Sequence, residues 1–280
     1  MLAILCVAQM AAGCDVSIGF ADALMRQADY YRAITEYKRV IYECPGDSLQ
    51  KHSLLQIATA YRKSGKLRSS VRYSEAFLQR SDLSASQRWS GNVNLGMAYL
   101  EDHMPQFALP PLRIADASDT TGFPALCLGL ADLQMRRLES AEACFSKGEA
   151  TSRDSMFRQQ AAALARATEQ FSRRPRKSSL AASLMSAVVP GAGQVYCGHT
   201  YDGIQAFLYT ASAAFATYAM YRYEHDVKDH LALTYVGLSI TTMFHSANIL
   251  GAHRTARYYN WKQEQDFSDS AQKEVYQLAP

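Results

Sequence analysis

Pro190-Gly-Ala-Gly-Gln-Val-Tyr-Cys-Gly198 divides this chain into two unlike parts. Pro190 has no backbone donor and pushes Val189 toward an extended conformation. Gly191 and Gly193 admit backbone angles closed to other residues. The apolar helical stretch Ser179–Val189 is therefore expected to break here. At about ten residues it is too short to cross a hydrocarbon core of roughly 30 Å. The stretch reads as a re-entrant or interfacial helix closed by a glycine-rich turn. Backbone opened at membrane depth must be buried in protein or wetted. Gln194 offers amide hydrogen bonds to it, and Tyr196 suits an interface, with an apolar ring and a polar tip. Gly198 ends the motif. A phosphate-cradling loop is the competing reading, but the string lacks the Lys-Ser/Thr pair and no strand precedes it.

Two apolar runs follow. Gly203–Tyr221 carries no charged side chain, and as a helix it spans about 28 Å. Its alanines, serine and threonines favour close helix contact. Leu231–Leu250 is the second expected span, polar enough that one face should pack on the first or on another chain. Between them Glu224, His225, Asp226, Asp229 and His230 can be drawn as a metal site. Their spacing is no recognised ligand set, and a hydrated loop has this composition. His245 is an ionisable residue inside an apolar helix; it is read either as a proton-transfer group or as hydrogen-bonded to a neighbour such as Asn248 or Gln194.

PGAGQVYCG, followed by Asp202-Gly203 and an apolar helix, resembles the PGxGQxYxG signature of TM2-like bacterial membrane domains. Ser246–Asn260 resembles the second-helix ending of the TM2-like family often fused to tetratricopeptide repeats. The resemblance covers roughly Ser178–Trp261. It implies a small membrane module built on a helical hairpin and no known chemistry.

Upstream, the residues from about Ala12 to Gly148 repeat at a period in the mid-thirties. Tyr30, Ala33, Tyr37 and Pro45 read as the second helix of a tetratricopeptide repeat with its closing proline. Ala58, Tyr61, Gly65, Leu67 and Ser70 fit the next repeat. Gly96, Tyr99, Ala108 and Leu112 fit a third, and Gly129, Leu138, Ala141 and Phe145 a fourth. Small residues sit where paired helices approach, and large ones fill the gaps; one pair cannot bury its faces alone, but a stack can. Pro105, Pro110 and Pro111 are expected to shift helix boundaries in the third repeat.

Such a stack presents a groove, along which the family register places Thr59, Arg62, Val93, Asn94, Met97, Leu126, Leu130 and Leu133. The Lys/Asn pattern of the carboxylate-clamp subclass is not visible. The groove either holds a protein or peptide partner by apolar contacts or is covered by the next helix, Ser155–Ser172. That helix has an apolar stripe at Met156, Gln160, Ala163, Leu164, Ala167 and Phe171, and it would also suit a cap. Arg173, Arg174, Arg176 and Lys177 form a basic cluster beside the apolar part, read as facing lipid head groups in preference to a solvated linker.

The formal charge of +3 gives no continuous basic face, so nucleic acid is not expected. Met1–Gly13 resembles a secretory signal without its positive start, and Ala11-Ala12-Gly13-Cys14 loosely resembles a lipoprotein cleavage box. The six cysteines show no metal spacing; Cys127 and Cys144 fall in one repeat, where an oxidising compartment would permit a disulfide. No cofactor or catalytic set is indicated.

The expected fold is all-α: a signal-like segment at 1–13, a tetratricopeptide solenoid with a capping helix at 14–172, a basic linker at 173–178, a two-span hairpin with a re-entrant segment at 179–261, and a polar tail at 262–280 that carries no motif. The expected function is a bacterial inner-membrane adaptor that recruits a protein partner in envelope biogenesis or membrane-protein assembly. Positive flanks argue for cytoplasmic repeats and the signal-like start for periplasmic ones; the second is preferred, because long domains translocate largely regardless of charge. The alternative is a membrane module that binds or translocates a small ligand through Gln194, Tyr196 and His245. Oligomeric state does not follow from the residues.

Overall fold

The computed structural model describes residues 17–44, 46–227 and 230–279. The signal-like segment, Cys14, Pro45 and Asp229 therefore lie outside the described residues. Among those described there is helix and no strand. The first helices are α1 (17–26), α2 (Tyr30–Glu43), α3 (Asp47–Lys63), α4 (Leu67–Leu78) and α5 (Ala85–Glu101). They continue as α6 (Pro105–Asp116), α7 (Phe123–Gln134), α8 (Leu138–Thr151) and α9 (Ser155–Ser172). Then come α10 (Ser179–Val188), α11 (Ala192–Tyr196), α12 (Thr200–Val227) and α13 (Ala232–Gln277).

The chain divides into two compact units. The first comprises the described residues up to Arg173 together with those from Ser268 onward, and the second is Arg174–Phe267. In the first, each helix from α2 to α9 packs on the next, and α5 also meets both α3 and α7, as in a solenoid of helical pairs.

The repeat is written into its turns. Ala28, Gly65, His103 and Arg136 all have positive φ, between 54° and 73°. Each turn closes with the same pair of bonds: the left-handed residue donates to a carbonyl three residues back, and the next donates five back, as Lys66 N to Tyr61 O and Arg137 N to Asp132 O. This is the usual left-handed helix ending. Only Gly65 was visible in the sequence as such a turn, because the other three positions carry ordinary side chains.

The small positions are where the helices touch. Ala33, Ser70, Ala108 and Ala141 are fully buried, and the Ser70 hydroxyl donates to Ala58 O. A Cβ on Gly96 would lie 2.5 Å from Leu112 Cγ, and one on Gly129 2.5 Å from Phe145. The proline expectation is corrected. Pro105 starts α6, but Pro110 and Pro111 lie inside it without ending it. The carbonyls they leave without donors belong to Gln106 and Phe107, which are exposed, so water can serve them.

In the second unit, α10 ends at Val188, one residue short of the expected break. The two expected spans are both helical. However, no described helix is long and apolar enough to cross a membrane. Tyrosine, threonine and serine dilute the apolar content of Gly203–Tyr221 and Leu231–Leu250. The connection between them is also shorter than expected, since α12 runs on to Val227. The tail is not a separate polar appendage: α13 continues through it to Gln277.

Candidate functional site

The glycine motif folds as a knot of close backbone approaches in the second unit. Gly191 has φ +88°, and a Cβ there would lie 2.0 Å from Gly203 O. A Cβ on Gly193 would lie 2.0 Å from Ala182 O and 2.7 Å from Ala252 Cβ. The motif thus brings α10, α11, α12 and α13 within backbone distance of one another. Gly198, with φ +85°, ends α11 in open space.

The backbone opened at this turn is satisfied by two buried polar side chains, Asn248 and Ser186, and a third, Gln194, braces them. Gly191 N donates to Asn248 Oδ1 at 3.0 Å, and Gly193 N donates to Ser186 Oγ at 2.9 Å. Ser186 Oγ donates to Gln194 Oε1, and Gln194 Nε2 reaches both Asn248 O and Asn248 Oδ1. Asn248 Nδ2 donates in turn to Ser186 O at 3.0 Å. Gln194 thus reaches the turn only through Ser186 and Asn248, not by the direct amide bonds expected, and the role of Asn248 needed the fold to bring α13 alongside. This amide is fully engaged, the Tyr196 ring is covered by Lys177 Nζ at 4.3 Å, and His245 makes no hydrogen bond with either.

The polarity of this unit is inverted. Its buried apolar residues are Ala182, Cys197, Ala252 and Ala256, whereas Ser186, Gln194, Thr210, Glu224 and Asn248 are buried polar ones. Its large apolar side chains face outward: Val188 is 83% exposed, Phe215 73% and Leu180 68%. The same holds for Ile204, Phe207, Leu208, Val236, Leu238, Ile240, Met243 and Leu250. The α12 and α13 helices meet through small groups: Thr217 and Thr241 share a hydrogen bond of 2.8 Å, and Gly237 lies under Thr217 and Met220. Glu224 is completely buried and caps the start of α13, accepting from Leu233 N, Thr234 N and Thr234 Oγ1 at 2.8 Å each. It is a cap, and no group of three or more potential metal ligands occurs among the described residues.

The basic cluster is more engaged than a lipid-facing patch requires. Arg173 pairs with Glu169 at 2.5 Å and Arg176 with Glu264 at 2.7 Å. Lys177 is half-buried, exchanges two backbone bonds with the Asn260 amide, and places its ammonium over Tyr196. Arg174 also has a partner. All three arginines remain exposed.

The groove positions are not open. Val93, Asn94, Met97, Leu126, Leu130 and Leu133 are all buried, and Thr59 is half-buried with its hydroxyl on Leu55 O. Leu126 lies against Gly148 of α8, within the repeat rather than in its groove. Arg62 and Asn94 come together: Arg62 Nε donates to Asn94 Oδ1 at 2.9 Å, and its guanidinium meets Glu101 at 2.7 Å. Asn94 Nδ2 passes the network on to Ser74.

A segment other than α9 lies against this surface. The α9 helix stacks on α8 as the next layer, burying Ala161, Leu164, Ala165, Thr168 and Phe171, while Met156 is exposed. The end of α13 supplies the cover. Ser268, Ala271 and Val275 are buried at 3%, 2% and 0% exposure, while Asp269, Ser270, Lys273 and Gln277 are exposed. That is one face of a helix. Gln272 accepts from Gln134 Nε2 at 3.3 Å, and Glu274 accepts from Gln160 at 3.5 Å. Tyr276 is pushed well above the usual phenol range, first by burial and then by Glu101 and Cys127, with Arg62 opposing. Its hydroxyl is buried, with Glu101, Cys127 and Arg62 near enough to act on its charge. The sequence signal was present, as Ser268, Ala271 and Val275 at helical spacing, but it holds only one large apolar side chain.

Cys127 and Cys144 are free, so the disulfide contemplated between them is not formed. Cys127 is fully buried, and burial drives its thiol up; Cys144 reaches about 11 by burial and its proximity to Asp132. No family model matches this chain, and neither the curated proteins nor the solved structures contain a match to it.

Proposed function

We propose that this chain is a membrane-anchored scaffold of the tetratricopeptide kind. Residues 174–267 are embedded in lipid and present the helical-pair solenoid to a protein partner, in envelope biogenesis or membrane-protein assembly. The observation that carries this reading is the inverted polarity of the second unit, with amides and a carboxylate inside and large apolar side chains outside. Contiguous exposed apolar surface of this kind marks lipid or protein contact. The buried polar groups meet the demand of a lipid environment that opened backbone be satisfied internally. In this reading no single helix is the anchor. The outward faces of α10, α12 and α13 act together, with small residues between helices as membrane packing favours.

Cys44 is disulfide-bonded. That supports placing the repeats in an oxidising compartment, on the periplasmic side of a bacterial inner membrane.

Alkaline carbonate extraction of cells expressing the full chain tests the anchor. The protein is expected in the membrane pellet, and a variant carrying Phe207→Glu and Phe215→Glu is expected to shift largely to the supernatant. Release of the unaltered chain would remove the lipid reading.

A further inference from the structure

The groove of the solenoid holds the chain's own last turns, and the chemistry of that seat defines what else fits it. We propose that the groove is a docking surface for a short amphipathic helix of a partner protein, and that residues 268–278 occupy it until such a helix displaces them. This deepens the scaffold reading above and rests on it, since a scaffold needs a place to receive its partner.

The seat fixes the partner's pattern. Ser268 and Ala271 are small and buried, and Val275, four residues on, is completely buried. A docking helix therefore presents two small residues and one branched apolar residue at spacings of three and four. Polar groups flank this stripe and meet Gln134 and Gln160 of the groove.

The occupant fits imperfectly. Gln134 Oε1 and Tyr276 Oη are both buried without a hydrogen-bond partner among the described residues. Buried polar atoms left unpaired weaken a contact. Both lie where the tail meets the groove, so a helix that supplies a donor to Gln134 and fills the Tyr276 position without an orphan hydroxyl would bind better. The tail's own advantage is that it is tethered, which raises its effective concentration at the groove.

The test uses a fluorescent peptide of residues 266–280 and the detergent-solubilised full chain. The unaltered chain is expected to bind it at least ten-fold more weakly than a full chain carrying Val275→Asp, whose own tail is driven out by a charge at a fully buried position. A peptide that itself carries Val275→Asp should bind neither. Equal binding to the two chains, or binding by the altered peptide, would overturn the proposal. Amide hydrogen exchange on the unaltered chain gives a second reading that needs no variant. Residues 268–277 are expected to exchange at least ten-fold faster than α7; exchange of the two at one common rate would also overturn it. Membrane retention is scored separately: its loss alone counts against the anchor, and failure of the peptide test alone counts against the groove.

Discussion

Gly193→Ala is expected to abolish the packed state of residues 174–267. The added carbon would stand 2.0 Å from the Ala182 carbonyl oxygen and 2.7 Å from Ala252 Cβ. Neither atom belongs to a flexible side chain, so whole helices must separate to admit it. Separation also removes Gly193 N from Ser186 Oγ and Gln194 from Asn248, leaving buried polar groups unpaired. Strain and lost hydrogen bonds act together, and a cost of about 4 kcal/mol or more is expected. Gly198→Ala is the control. Its φ of +85° imposes a backbone strain that Gly193 does not have, but there is open space around it, and the change should cost about 1 kcal/mol. Thermal melts and elution profiles in detergent compare the two. Similar behaviour of both variants would show that the close approach at Gly193 does not hold the helices together.

Arg62→Ala is expected to cost about 3 kcal/mol in the solenoid, because it leaves the half-buried Glu101 carboxylate without its counter-charge and the buried Asn94 carbonyl without its donor. The effect should depend on pH. Burial raises the Glu101 carboxyl more than Arg62 lowers it. A raised carboxyl favours the folded state at low pH, and that contribution is lost as pH rises through the folded value. Removing Arg62 raises the carboxyl further. The deficit of the variant, read from urea melts, should therefore be larger at pH 7 than at pH 4. An equal deficit at both values would mean that the ion pair is not what Arg62 supplies.

The repeats were legible because their signal is local and periodic. Small residues at 33, 70, 108 and 141 alternate with Tyr37 and Phe145, and the structure buries all six. The turns were only partly legible, since left-handed Ala28, His103 and Arg136 look ordinary in sequence. The glycine motif was legible as a break but not as a contact. Its explanation lies in Gly203 and Ala252, which only the fold brings near. Asn248 was named only as a neighbour for His245 and is in fact a principal hydrogen-bond partner of the turn. The partners of the basic cluster were not legible for a related reason: Glu264 and Asn260, which engage Arg176 and Lys177, stand more than eighty residues away. The tail was missed as a groove ligand because Ser268 and Ala271 are too small to register as an apolar stripe.

The polarity of residues 174–267 is tested most directly by labelling from within the bilayer. Membranes carrying the full chain are loaded with a lipid-soluble photoreactive probe, irradiated, and the modified residues are mapped by mass spectrometry. Label is expected on outward side chains such as Leu180, Phe215, Val236 and Met243, and not on Ser186, Gln194 or Asn248. Absence of label from the outward set, with the protein present in the same membranes, would contradict the account.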